Sequence, residues 1–380
     1  MPAARHVKTE RRVRRSRHLV LYWRGDRLIV HNYATGARMQ GDALLCRLLE
    51  YCGDWRTADD IRLRLSLGSG PVVQALLARL VSRGLLDRSD RPASPQAAAM
   101  AALDRWNPEA GFFHTATKNV HFWSPLDAAR KARLQSATWP MPAPVKRYRG
   151  SATIDLPRPR SGEFGDVLRR RRTWRRFSAG PVALGDLATV LGLAAGVQRW
   201  VRTPAGEVPL KTSPSGGARH PIECYVIAAR VSGLRPGVYH YASDRHALER
   251  LRGPVSSKRI ARYYPSSSYF ARAPVQVFFT AVFERQVWRY PYARAYRAAL
   301  AEAGHVCQTF CLSATWLGLA PFCLMGLADS LIEGDLGVDG VRESVVYAAG
   351  LGLPPKGVGW APLAPYTKGT LKTRLNKRLS

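Results

Sequence analysis

Three short stretches of the chain carry residue types that could bind and orient a flat, anionic ligand. The first is Arg170-Arg171-Arg172-Thr173-Trp174-Arg175-Arg176-Phe177. Guanidiniums fork onto phosphate oxygens and stay charged at any working pH. Arg171, Arg172, Thr173 and Arg175 are therefore the candidate phosphate-binding set, with a solvated basic face as the other use of the same residues. The second stretch is Pro214-Ser215-Gly216-Gly217-Ala218-Arg219-His220-Pro221. Its paired glycines let the backbone approach a planar ligand, and the amides and the Ser215 hydroxyl can hydrogen-bond it. An ordinary surface turn has the same composition. The third is Gly350-Leu351-Gly352 at the end of an apolar run, with Lys356 beyond it. Glycine at a strand end followed by a cation suits a nearby phosphate, and a simple chain reversal before a Pro-rich tail is the alternative.

The six cysteines show no CxxC pair and no regular spacing, which reads as reduced, buried thiols. Cys307 and Cys311 stand four apart beside His305. Without a further ligand cluster nearby in sequence, helix packing is expected there and no metal site. His305 lies among small helical residues and reads as a core histidine. His220, inside the glycine loop, is better placed for chemistry.

Periodicity outlines the elements that must position these residues. Residues 1–17 form a basic arm expected to be mobile. Two apolar runs, 18–22 and 27–33, flank an Arg24-Gly25-Asp26 turn and predict a hairpin. Three helices follow: 41–51 with Leu44, Leu45, Leu48 and Leu49 on one face, 58–67 capped by Thr57, and a third opened by Ser69 and Pro71 and ended by Gly84. Leu85-Leu86-Asp87 then reads as the first strand of a wing, giving a winged-helix-like domain over residues 18–90. Its third helix offers only Gln74 and Arg79 as polar contacts in its middle, so a peptide-binding or packing role is expected rather than base reading. Residues 91–160, rich in Ala, Pro and Trp, form a linker expected to pack on the next domain. From 161 to 380 helices alternate with strands: helices at 164–172, Leu184–Ala195 and 294–317, and strands at 224–231, 237–241, 248–251, 275–283 and 344–349. That mixture implies an α+β layer.

A chain of 380 residues with 46% hydrophobic and 22% charged content has room for two ordinary domains and is not disordered. The net charge of +31 invites nucleic acid, anionic lipid or an acidic substrate. The basic residues are dispersed along the whole chain, however, which favours a general arginine bias; neither nucleic acid nor a membrane is expected as partner. No apolar signal region follows the basic N-terminus, and a cytoplasmic location is expected. Residues 306–328 carry no charge, but Gln308, Thr309, Ser313, Thr315, Gly318, Pro321 and Gly326 suit a buried helix, a turn and a strand better than a membrane span.

Together the three stretches resemble the FMN-dependent nitroreductase superfamily. Arg171-Arg172-Thr173-Trp174-Arg175-Arg176-Phe177 is similar to that family's RRSxRxF element, with Thr for Ser. The resemblance implies a central, mostly antiparallel sheet flanked by helices, and a homodimer with FMN at its interface. It assigns Pro214, Ser215, Gly216, Gly217 and Ala218 to the loop that tends to reach the partner's flavin. Met325 and Gly326 fall where a backbone amide faces the isoalloxazine, and Gly350, Leu351, Gly352 and Lys356 lead toward the phosphate. The segments SPSGGARHPIECYV (213–226), GLRPGVYHY (233–241) and RAYRAALAEAGHVCQ (294–308) resemble more closely the SagB-type azoline dehydrogenases. That branch implies oxidation of thiazoline or oxazoline rings in a peptide natural product, with a cyclodehydratase as a partner enzyme. It also carries a Lys-Tyr pair before the long helix, associated with proton handling. Here Arg289-Tyr290 stands in that place. A guanidinium does not release its proton at neutral pH, so Arg289 can hold an anion or a carbonyl, and Tyr290 is the candidate proton carrier. Tyr292 and Tyr296 read first as packing or pocket walls.

Two other functions fit parts of the sequence. A general NAD(P)H-dependent nitroreductase or quinone reductase would use the same flavin elements without the N-terminal domain. A flavin-linked DNA-binding regulator would use the winged-helix pattern and the positive charge.

Overall fold

The computed structural model describes residues 11–101, 107–138, 142–146, 156–157 and 159–357. The chain divides into two compact units, the first made of Met1–Val120, Val282–Ala299 and Gly337–Ser344, the second of His121–Ala281, Leu300–Leu336 and Val345–Ser380.

In the first unit the expected mobile arm is partly a strand. Arg12–Arg15 is the middle strand of a three-stranded sheet, antiparallel to both Arg56–Thr57 and Leu86–Arg88. The reason is alternation: Val13 turns into the core at 8% exposure, while Arg12 is exposed and Arg14 is half-buried with its guanidinium 4.6 Å over the Trp55 ring. Leu86–Arg88 therefore pairs back to the N-terminal segment. The hairpin is present as Leu19–Arg24 and Arg27–Asn32, turning at Gly25 with φ 63°, and a third strand, Ala37–Gln40, extends it.

The three helices run Ala43–Tyr51, Ala58–Arg64 and Gly70–Ser82. Thr57 forms a reciprocal cap: its hydroxyl accepts the Asp60 N–H at 3.1 Å, and the Asp60 carboxylate accepts the Thr57 N–H at 3.0 Å. Leu45, Leu48, Leu49, Ile61, Val73, Leu77 and Leu80 meet Val13 and Val30 in one core. The segment read as a linker contains helices Pro95–Ala101, Pro108–Thr117 and Pro125–Thr138. Within the first unit, Phe112 packs its ring 5.4 Å from His31 and 6.0 Å from Tyr22, so helix Pro108–Thr117 covers a face of the hairpin sheet.

The second unit holds most of a six-stranded sheet in the order Ala247–Arg252, Gly237–Ala242, Ile222–Ala228, Val275–Val282, Glu343–Gly352, Ala320–Leu324. Its registered pairs are antiparallel. Val275–Val282 is buried along almost its whole length, as a central strand must be when both faces are covered. Gln276, wholly buried there, accepts from the Tyr264 hydroxyl at 2.6 Å and donates to the Phe270 and Ala273 carbonyls at 3.0 Å, so burial leaves its amide satisfied. The long helix Arg294–Trp316 leads into strand Ala320–Leu324, giving the helix, turn and strand expected from the uncharged stretch. Among the described residues no helix is long and apolar enough to cross a membrane. The α+β class is as the sequence implied.

Candidate functional site

Helix Glu163–Arg170 ends at Arg171, and the basic stretch continues in extended form. Two backbone hydrogen bonds fasten it: the Trp174 N–H donates to Pro321 O at 2.9 Å, and the Ser178 N–H donates to Leu353 O at 2.9 Å. Trp174 is buried at 5% exposure, with the Arg172 guanidinium carbon 3.9 Å over its ring. Arg171, Arg172 and Thr173 are half-buried, and Arg175 and Arg176 are exposed. Lys356 is exposed just past Leu353. The first and third stretches thus converge on one end of the sheet, where a strand edge fixes the backbone that carries the cations.

Gly350 and Gly352 are also required by packing. Both are buried within strand Glu343–Gly352 rather than in a loop, paired to Phe322 and Ala320. A Cβ on Gly350 would stand 2.5 Å from Val275 O and press into the Phe322 ring; one on Gly352 would meet Pro274 at 2.7 Å and Phe177 at 2.9 Å. Close packing accounts for the absence of a side chain at both positions. Leu351 between them is fully buried.

The second stretch lies elsewhere in its own chain. Ile222 pairs with Ala281, whereas Gly350 lies against Val275 at the other end of the same central strand. One chain therefore unites the first and third stretches but not the second. The loop is held against helix Arg294–Trp316. Gly216 N–H donates to the Glu302 carboxylate at 3.0 Å, and His305 Nδ1 lies 3.3 Å from Pro214 O. Ser213 Oγ lies 3.4 Å from Ala194 O and 3.3 Å from Thr309 Oγ1. Ser215 Oγ accepts the His220 N–H at 2.8 Å. Gly217, Ala218 and His220 have φ of 62°, 52° and 41°. Left-handed backbone at a residue with a side chain costs on the order of 1 kcal/mol or more, and it persists here because these contacts over-determine the loop.

The Gly216 amide and one lone pair of Ser215 are thus already engaged, while the Ser215 hydroxyl keeps its proton to donate. Glu302, at 5% exposure, is the residue sequence reasoning missed. Its position in an alanine-rich helix face gave no sign that a loop amide would cap it. With Lys211 and His220 it lines a cavity of about 10 Å³, room for about one water. His305 is exposed, not a core residue, because it sits on the side of the helix that faces the loop.

Met325 and Gly326 follow strand Ala320–Leu324; Met325 is 59% exposed, and a side chain at Gly326 would meet only Phe122, at 3.6 Å. Arg289 and Tyr290 belong to the first unit. Arg289 ends helix Phe283–Arg289 and is exposed; Tyr290 caps it, its N–H donating to Gln286 O at 2.8 Å and its ring 6.1 Å from Tyr292. Tyr296 is buried and stacked on Phe283 at 5.2 Å, a packing role.

One further cluster lies beside Arg171. The sequence pairs Cys307 with Cys311 and offers no third ligand, but the fold brings Cys323 from strand Ala320–Leu324 to them. The three Sγ atoms lie within 4.8 Å of one another. No spacing rule links positions 311 and 323, so only the fold could reveal the trio. The two neighbouring thiols stabilise a thiolate at Cys323, with the Arg171 charge adding, and Cys323 is shifted down. The Cys307 and Cys311 thiols are shifted up: sulfur neighbours and burial raise Cys307, while at Cys311 Cys323 and burial outweigh the opposing hydrogen bond with Cys307.

A family model described as the nitroreductase family matches residues 168–353. A protein of Methanocaldococcus jannaschii that carries the nitroreductase name is 33% identical over 180 residues, covering 47% of this chain and 87% of that protein. The trifolitoxin-processing protein TfxB of Rhizobium leguminosarum bv. trifolii is 34% identical over 149 residues, 38% of this chain and 39% of TfxB. Among solved structures, a chain of the E. coli microcin synthetase McbBCD complex with truncated pro-MccB17 bound aligns with a TM-score of 0.49 at 19% identity, over 70% of this chain and 100% of that one.

Proposed function

Because the chain belongs to the nitroreductase family of flavin-dependent oxidoreductases, we propose that it is an FMN-dependent dehydrogenase that oxidises azoline rings in a peptide to azoles. The observation that carries this reading is the fastening of the arginine stretch to Pro321 and Leu353, which gathers fixed cations at one sheet end. A flavin phosphate is a dianion, and fixed guanidiniums with an ammonium beside them suit it. Arg171, Arg172, Thr173 and Arg175 would hold it, with Lys356 beyond. The exposed Met325-Gly326 turn would face the ring system. Bound FMN would supply a two-electron acceptor for hydride.

In its own chain the loop at 214–221 lies at the opposite sheet end, so we assign it to the flavin of a second copy in a homodimer. Its left-handed residues and the Glu302 cap would hold the Ser215 hydroxyl and the Gly217 and Ala218 backbone in a fixed pose for that contact. Tyr290 would carry the proton taken from the ring, and Arg289, always charged, would hold a substrate carbonyl. The similarity to TfxB, a trifolitoxin-processing protein, supports a role in maturing a natural product over reduction of a small nitroaromatic. The rings themselves would come from a partner cyclodehydratase.

The test has two steps. Purified protein should show a flavin absorption spectrum, and Arg171→Ala should lower the flavin occupancy. In air, where dioxygen takes the two electrons back from the reduced flavin, the protein should then remove two hydrogens from each ring of a thiazoline-containing peptide, seen by mass spectrometry, and Tyr290→Phe should stop this while keeping flavin. Colourless protein that refuses added FMN overturns the cofactor assignment. NAD(P)H consumption with a nitroaromatic, and no ring oxidation, would favour a general reductase instead.

A further inference from the structure

We propose that Cys307, Cys311 and Cys323 form a binding site for a thiophilic closed-shell cation, zinc(II) or copper(I). The inference rests on the geometry of the sulfurs and is independent of the flavin reading. Two of the thiols project from adjacent turns of the rigid helix Arg294–Trp316, and the third comes from a strand locked in register by the pairing of Cys323 with Ala349. Their Sγ atoms lie within 4.8 Å of one another. Three sulfurs around one zinc-sized ion, each about 2.3 Å from it, stand about 4 Å apart, so the trio needs to close by less than about 1 Å. Small side-chain rotations supply that movement.

The ligand set selects the metal. It is all sulfur and largely dry: Cys307 is 3% exposed and Cys311 2%. Thiolates in such a setting favour soft or borderline cations, and hard oxygen-seeking ions such as magnesium or calcium find no ligands there. Three thiolates and a divalent ion carry a net charge of −1, or −2 with a monovalent ion. The Arg171 guanidinium, whose field reaches Cys311 and Cys323, partly offsets that charge. The Tyr347 hydroxyl lies 4.0 Å from the Cys323 sulfur and gives it a further donor. Binding is a proton exchange: each thiol that becomes a ligand releases one proton, no electrons move, and the metal is the only species added.

Cadmium(II) is the probe, because its thiolate bonds absorb in the ultraviolet. Full-length protein, reduced with a phosphine and kept free of oxygen, should develop a sulfur-to-cadmium absorption band that saturates at one equivalent. Cys323→Ser should lose the band, and Cys46→Ser, in the first unit, should keep it. Circular dichroism reports whether each variant folds; if Cys323→Ser does not, Cys307→Ser carries the same comparison. Equilibrium dialysis of the parent protein against zinc(II) or copper(I), read by metal analysis, should leave about one equivalent of the ion it takes bound, and Cys323→Ser should retain none. Absence of the band in the parent protein, or its survival in folded Cys323→Ser, would overturn the proposal.

Discussion

Acidification should weaken the first unit through a single side chain, His114. Its imidazole is 2% exposed and lies between two partners. Nε2 is 2.9 Å from the Gly340 carbonyl, which can only accept, so Nε2 bears the proton and Nδ1 accepts from the Tyr296 hydroxyl at 3.2 Å. Burial disfavours the imidazolium, the Lys118 charge adds to that, and the pKa falls from 6.5 to about 4. The unfolded chain therefore takes up a proton near pH 6.5 that the folded chain refuses until about pH 4. Stability that is present above 6.5 is lost as pH falls toward about 4, and no more is lost below that. At about 1.4 kcal/mol per factor of ten, the full loss is roughly 3 kcal/mol. His114→Gln is the control, since an amide can donate to Gly340 and accept from Tyr296 without titrating. Urea unfolding followed by tryptophan fluorescence should show wild type losing its margin over the variant as the pH is lowered through this range. Parallel pH profiles for the two proteins would refute the reasoning.

Gly350→Ala should lower the melting temperature, with a loss of about 1–3 kcal/mol from overpacking against Phe322 and the Val275 carbonyl; an unchanged melting curve contradicts the packing account. Glu302→Ala leaves the Gly216 amide without its acceptor, so exchange of that amide with deuterium should quicken, at a stability cost of about 1–3 kcal/mol. His240 stands 3.0 Å from Glu223 and 2.8 Å from Glu249. The hydrogen bond to Glu223, helped by Glu249, raises its pKa against the effect of burial. Its contribution is thus complete below 6.5 and is lost as pH rises through the higher folded value, so His240→Gln should flatten the stability profile on that alkaline side. Thr57→Ala removes the reciprocal cap and should cost about 1 kcal/mol in a thermal melt.

The elements legible in the sequence were those with a strong period. Leu184–Ala195 and Arg294–Trp316 repeat their apolar residues at helical spacing over three or more turns, and Val275–Val282 is rich in β-branched and aromatic residues, with only Gln276 and Ala281 departing from them. What escaped depends on partners far along the chain. Arg12–Arg15 has a charged, arm-like composition and becomes a strand only because Leu86–Arg88 and Arg56–Thr57 supply its ladder. The hairpin Val197–Thr203 with Gly206–Lys211 is largely exposed and mixes apolar with charged residues, so no burial pattern marked it. At the site, the arginine stretch and the glycine loop were visible as types and spacings. That Gly350 yields room to an aromatic ring, that Glu302 caps a loop amide and that Cys323 joins two helical thiols are facts of tertiary contact, with no local signal.

The middle position of Arg12–Arg15 in its sheet also sets an order of assembly. This strand precedes both of its neighbours, and the second of them follows the third helix, more than 70 residues later. During synthesis the edge that pairs with Leu86–Arg88 stays unmet until that helix has left the ribosome. Unmet edges invite association with other chains. The arginines at 12, 14 and 15 repel like copies of themselves, so the charge that makes this segment look like a loose arm also keeps it single until its partners emerge.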